Sequence, residues 1–207
     1  MSIDASVLVA VIGGLVTALG WLVSTRLTAS QERQRQQADA LLKYVERQLE
    51  ELYGPLAFLI YEGRRTYEDL LEALGRTYVF EANAPLPEDE LRIWLFWTEF
   101  DFLPRNAKIK ALLTSKTHLI DGPTFPDSYI AFLDHTNSWE ISHRRWKEQK
   151  VEYPWHSKVN WPDEFESEVT DTFQDLKAKH AALIGKLESA PDRKPFDRSL
   201  WGIDVKS

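Results

Sequence analysis

The 207-residue chain contains no cysteine. Structural disulfides, thiolate metal sites and cysteine nucleophiles are thereby excluded, while the compartment stays open, because many extracytoplasmic proteins also lack the residue. Excess positive charge is missing too. The chain carries 25 basic against 32 acidic residues, a formal net charge of -7. That balance argues against nucleic acid as a partner, whose affinity comes largely from neutralising phosphates with Lys and Arg. Several catalytic signatures are likewise absent: there is no Gly-x-Ser-x-Gly elbow, no Gly-x-x-x-x-Gly-Lys-Ser/Thr phosphate loop and no His-x-x-x-His pair. No internal repeat or low-complexity tract interrupts the chain. What remains is 43% hydrophobic and includes eight tryptophans, a composition that makes an ordered protein with about one domain's worth of chain.

One segment is different in kind. From Ala5 to Thr25 no residue is charged, and as a helix that stretch spans about 30 Å, the thickness of a hydrocarbon core. Residues Ser6 to Val23 are apolar or small all round, whereas a helix of a globular protein keeps one wet face. A cleaved signal peptide would begin with a basic region, but the only charges ahead of the segment are the terminal amine and Asp4. An uncleaved membrane anchor is expected. Arg26, Arg33 and Arg35 follow the segment and no cation precedes it, which places the N-terminus outside and the C-terminal bulk in the cytoplasm. Trp21, near the exit, suits the headgroup level. Ser6, Ala10, Gly13, Thr17, Gly20 and Ser24 recur at steps of four and three, and all are small. Lipid tails are as apolar as leucine, so membrane helices associate through close backbone approach, and such a stripe permits it. Ala10, Gly14 and Ala18 add a second small row. The pattern favours helix packing over a chance excess of Gly and Ala, with either another copy or a different membrane protein as partner.

After Arg26 the chain reaches Tyr53 without Pro or Gly and is rich in helix formers, so the anchor is expected to continue as a stalk. Ala38, Leu42, Val45, Leu49, Leu52, Leu56 and Leu59 follow a four-three alternation. That seam serves a self-paired coil or the inner face of a bundle helix, and the later helices, which need a surface to pack on, favour the bundle. Pro55 predicts a kink or helix boundary, since it lacks an amide hydrogen and its ring crowds the carbonyl four residues back. Further helices are expected over Leu56 to Leu74, capped by Gly75; from Glu88 through the aromatic stretch to Leu103, broken or bent at Pro104; over Arg105 to Ile120; over Asp127 to Gln149; and from Pro162 to near Ser189. The aromatic stretch belongs to the core, or else lies against a membrane or partner. Helix 127–149 is expected to bury Tyr129, Ile130, Phe132, Leu133 and Trp139. Val151 to Pro162 reads as an ordered aromatic loop, and the tail, with Phe196, Leu200, Trp201 and Ile203, as a docking segment.

Leu52-Tyr-Gly-Pro-Leu56, Trp94 with Trp97, Leu103-Pro-Arg-Asn106, His118-Leu-Ile-Asp121 and Phe132-x-x-His135-x-x-x-Trp139 carry a likeness. Over about Gln48 to Gly185 the chain resembles a group of uncharacterised bacterial proteins with one N-terminal anchor and a Trp-rich helical region. The resemblance implies a bacterial origin and a helical domain, and lends no catalytic residue.

Candidate chemistry is thin. Asn106, His118, Asp121 and His135 flank the turn at Asp121 to Pro126, and antiparallel helices around it would let His118, His135 and Asp121 offer nitrogen and oxygen donors to a metal. The competing reading, hydrogen-bonded structural histidines, is favoured by the lack of a metal-ligand spacing. Arg144, Arg145, Trp146 and Lys147 form a basic cluster suited to anionic headgroups or an acidic partner, or to a solvated helix end. The expected fold is all-α: a transmembrane anchor over 1–25, a stalk and first bundle helix over 26–53, a cytoplasmic bundle of about four to five helices over 54–190, and a tail over 191–207. The expected function is a non-catalytic assembly or scaffold subunit of a bacterial inner membrane, contacting lipid and oligomerising or pairing through its seam, with no cofactor. The alternatives are a stimulus-gated, membrane-perturbing effector of a bacterial defence system and a metal-dependent helical enzyme.

Overall fold

A computed structural model describes residues 5–80, 85–153 and 160–188, with the side chains of 5–12 and 17 left out of the description. The protein is all-helical over these residues, without a strand. The α-helices are α1 (Ala5–Gln48), α2 (Gly54–Leu74), α3 (Glu88–Trp97), α4 (Leu103–Ser115), α5 (Asp127–Gln149) and α6 (Asp163–Glu188). Their starts and stops follow local chemistry. Glu88, Asp89 and Glu90 fill the first turn of α3, Asp163, Glu164 and Glu166 that of α6, and each set meets the positive end of the helix dipole. Gly75 ends α2 in the left-handed conformation, with φ of 64°.

The chain does not break at its two helix-interior prolines. Leu49–Tyr53 and Thr98–Phe102 are π-turns that join α1 to α2 and α3 to α4. In each, the amide just before the proline bonds five residues back, Gly54 to the Leu49 carbonyl and Leu103 to the Thr98 carbonyl. A proline ring collides with the carbonyl four residues earlier. One extra residue in the preceding turn widens the ladder and takes up that collision, so hydrogen bonding continues through a π-turn at the place where a kink or boundary was expected.

The extra residue also rotates everything after it by about 100°. Beyond the turn the expected seam is displaced, with Ile60 nearly buried and Leu59 only half-buried; at the turn's start Gln48 is fully buried and Leu49 half-buried. Val45, Leu52 and Leu56 keep their expected inner places, and Tyr53 joins them. The buried Gln48 amide donates to the Leu119 carbonyl at 2.9 Å.

The described residues form two units, 45–179 and 5–44 with 180–188. In the first, α2 packs on α3 and α4, and α4 on α5. Leu70, Val79, Leu86, Trp94 and Tyr153 make one buried cluster. At its other end Phe132 of α5 stacks on Phe165 of α6, centroids 4.5 Å apart, and Tyr129 meets Phe165 edge-on at 5.2 Å. The Tyr53 hydroxyl accepts the Asp121 amide at 2.9 Å and bonds to Tyr129, tying the π-turn to the turn before α5. In the second unit Asp39 pairs with Lys43 at 2.9 Å, and Leu15, Val16, Leu19, Trp21 and Val23 are more than half exposed. Among the described residues no helix is long and apolar enough to cross a membrane; residues 5–12 and 17 of the expected anchor lie outside the described side chains.

Three further expectations need correcting. The Trp-rich helix is not apolar-packed on every side: Trp94 and Thr98 point inward, but Phe96 and Phe100 are 59% and 67% exposed, because a helix with neighbours on one side has an outer face as well. Ile130 is 48% exposed for the same reason. Helix α4 ends at Ser115 rather than Ile120, and a short 3-10 turn, Thr117–Leu119, buries Leu119 instead. Trp155, His156 and the tail lie outside the described residues.

The first π-turn yields a direct test. A β-carbon on Gly54 would stand 2.5 Å from the Leu49 carbonyl oxygen. Gly54→Ala should therefore lower unfolding stability by about 1–3 kcal/mol, measured by denaturant titration, even though alanine is the better helix former.

Candidate functional site

Within residues 45–179, α2, α4, α5 and the start of α6 enclose a cleft of about 1050 Å³, large enough for a ligand of drug size. Its floor is aromatic. Trp94 is held by Phe80 edge-on at 5.0 Å, by Phe102 at 5.7 Å and by Trp139 at 5.9 Å. Its indole N–H donates to the Tyr153 hydroxyl at 3.0 Å, and burial pushes that phenol up to about 12. On the opposite wall Trp161 donates to Glu166 at 2.8 Å and stands edge-on to His135, centroids 5.5 Å apart.

The buried arginine of the wall and the Arg64–Glu166 pair are already neutralised, while Asp163 borders the cleft exposed to water. Arg105, 6% exposed, donates through Nη2 to Asp101 and to the Thr66 hydroxyl at 2.8 Å, and its Nε lies 3.7 Å from Glu62. The Thr66 hydroxyl has one proton to give; Asp101 at 2.8 Å is nearer than the Gly63 carbonyl at 3.2 Å. Gly63 makes room for this arrangement, since a β-carbon there would come within 3.2 Å of an Arg105 nitrogen. The guanidinium also sits 5.9 Å from the Phe102 ring centroid. Arg64 pairs with Glu166 at 2.9 Å. Among the polar side chains of the wall, Asn106, 8% exposed, hydrogen-bonds through its amide to no described residue; the buried Thr98 hydroxyl and the exposed Asn160 also border the cleft.

Of the four residues expected to form a polar or metal cluster, the structure brings Asn106 and His135 to this cleft and leaves the other two elsewhere. His118 accepts from Arg47 at 3.1 Å, and the Asp121 backbone serves Tyr53. Among the described residues no three of His, Asp or Glu stand together to hold a metal. A Glu-x-x-His spacing does occur in α5, from Glu140 to His143, but Glu140 turns outward to Arg144 while His143 is buried. In the basic cluster Arg144 bonds to Glu140, Arg145 to Gln149 and Lys147 to Glu99, and Trp146 packs on Tyr153 at 5.4 Å. The cluster is thus spent largely on the chain itself. Of the expected anchor seam, Gly13, Gly20 and Ser24 are exposed, and Ser6, Ala10 and Thr17 lie outside the described side chains. Periodicity missed Arg105, because a cation four places after an acid reads as a surface pair. The one clue was its position directly after Leu103-Pro104.

Compared with family models, curated proteins and solved structures, the chain matches none of them.

Two expectations follow from this geometry. Arg105→Lys should lower stability by about 2–4 kcal/mol in thermal unfolding, because a single ammonium cannot bridge Asp101 and Thr66 from the same buried position. His143 has no hydrogen bond to either ring nitrogen among the described residues, and burial depresses its pKa below the ordinary 6.5 against the opposing pull of Glu99. The folded state therefore resists the proton that the unfolded chain accepts. Stability from this site is complete above pH 6.5 and declines as pH falls below it; His143→Leu should flatten that part of a stability-against-pH curve.

Proposed function

We propose that this chain is a non-catalytic assembly or scaffold subunit of a bacterial inner membrane, anchored by residues 5–25 with the helical domain on the cytoplasmic side. The observation that carries the reading is the run from Leu15 to Leu27 in α1. There Leu15, Val16, Leu19, Trp21, Leu22, Val23 and Leu27 are 47–70% exposed, and no charged residue occurs from Ala5 to Thr25. Apolar surface of that extent marks contact with lipid or with another protein. Beside it, β-carbons added to Gly13 and Gly20 would meet nothing within 4 Å, which leaves room for a second helix to come close. Arg26, Arg33 and Arg35 support the cytoplasmic orientation, and the likeness to anchored bacterial proteins supports the inner membrane.

A second reading, a stimulus-gated effector that perturbs the membrane, is favoured by the cleft, which offers a place for a trigger to bind. Depolarisation of cells on overexpression separates it from a scaffold, which accumulates harmlessly.

The anchor itself is tested by washing cell membranes with alkaline carbonate. The full chain should stay in the pellet, a chain lacking residues 1–25 should move to the supernatant, and paired Gly13→Leu and Gly20→Leu should reduce crosslinked oligomer. Full-length protein found in the supernatant overturns the reading.

A further inference from the structure

We propose that the aromatic cleft is a binding site for an uncharged, flat nitrogen heterocycle carrying a hydrogen-bond donor and acceptor side by side on one edge, the chemistry of a nucleobase presented as a nucleoside. The inference stands on residues 45–179 alone and is independent of the anchor. The cleft has the volume for such a molecule, about 1050 Å³, at the upper end of the usual range for small-ligand sites.

Charge decides first. A cation entering the cleft meets the buried Arg105 guanidinium in its wall, and of the carboxylates that border it Glu166 is taken by Arg64 and Asp163 stays in water at the rim. An anion finds both guanidiniums engaged, Arg105 by Asp101 and Glu62, Arg64 by Glu166. Desolvating either kind of ion there would go uncompensated, so the fitting ligand is neutral. Shape decides next. Trp94, Trp139, Trp161, Phe102, Tyr67 and Tyr78 present ring surfaces, which reward a flat π-system more than a flexible acyl chain.

Polar matching decides last. Asn106 is more than nine-tenths buried, borders the cleft, and has no described partner for its amide. Its amide atoms are not themselves sealed from the cleft, so a ligand that supplies a matching acceptor and donor replaces water there without leaving either group unpaired. A primary amide offers one N–H and one carbonyl oxygen in a plane, the complement of adjacent donor and acceptor atoms on the edge of adenine, guanine, cytosine or uracil. His135 adds a ring held edge-on to Trp161 beside this position.

The test uses the full-length chain in detergent micelles, with adenosine, guanosine, cytidine and uridine as probes, followed by calorimetry and tryptophan fluorescence. At least one nucleoside should bind saturably and quench the tryptophans. Asn106→Leu should weaken it roughly tenfold or more at unchanged melting temperature, and the 5′-monophosphate of the same base should bind no tighter than the nucleoside. If Asn106→Leu does not fold, Tyr78→Ala at the mouth, where the ring is 72% exposed, should weaken binding several-fold without loss of stability. The proposal is overturned if none of the four saturates, if a folded Asn106→Leu binds like the parent chain, if Tyr78→Ala has no effect, or if the phosphate tightens binding tenfold.

Discussion

A proline ring needs the space that the carbonyl four residues earlier normally fills, and this steric demand organises the domain at two points. Both Pro55 and Pro104 lie inside long helices, and both are preceded by a π-turn. The widened turns keep the rods continuous and shift the phase of the helix beyond them. In the first rod that shift turns Ile60 inward in place of Leu59. Thr98, whose carbonyl accepts the closing bond of the second π-turn, is buried, and Arg105 and Asn106, the first residues past Pro104, are buried as well. The cleft therefore owes its polar wall to the second π-turn. Without the extra residue, Asp101 and Arg105 would still be four apart, but their common face would be rotated by about 100° relative to Trp94.

The wall is electrostatically closed in a way that shapes what the cleft can do. Arg105 is buried and would be costly alone, but Asp101, Thr66 and Glu62 surround it, and Gly63 lets it lie against α2. Arg64 and Glu166 repeat the pattern at the rim, with Trp161 adding a second donor to the same carboxylate. Glu51, within the first π-turn, offers a parallel: Lys116 and then Arg47 hold its carboxyl down to about 2. Buried charges in this domain are used to fasten helices to one another, which leaves aromatic faces and the buried Asn106 amide as the free chemistry of the cleft's interior, with Asn160 and Asp163 exposed at its border.

Much of the secondary structure was legible. The cap at Gly75, the acidic first turn at Glu88 and the bounds of helix 127–149 were read from residues within a turn of each helix end, and they hold. The site was far less legible. Asn106 and His135 were singled out for a metal and reach a common cleft, but His118 is drawn off by Arg47, seventy-one positions away in sequence. The basic cluster looked free along the chain, and its Lys147 is taken by Glu99 of the other π-turn. Such partners are set by which helices meet, and no local spacing encodes that.

Composition and spacing alone determined that the chain is helical, where most helices start and stop, and that Ala5 to Thr25 carries no charge, because each depends on neighbours within a few residues. Only the tertiary structure decided which face of each helix is buried, that hydrogen bonding runs on past two prolines, and that an arginine and an asparagine share an aromatic cleft. Those outcomes depend on the added residue of each π-turn and on contacts between distant helices, whose energies are settled only when the packed arrangement exists.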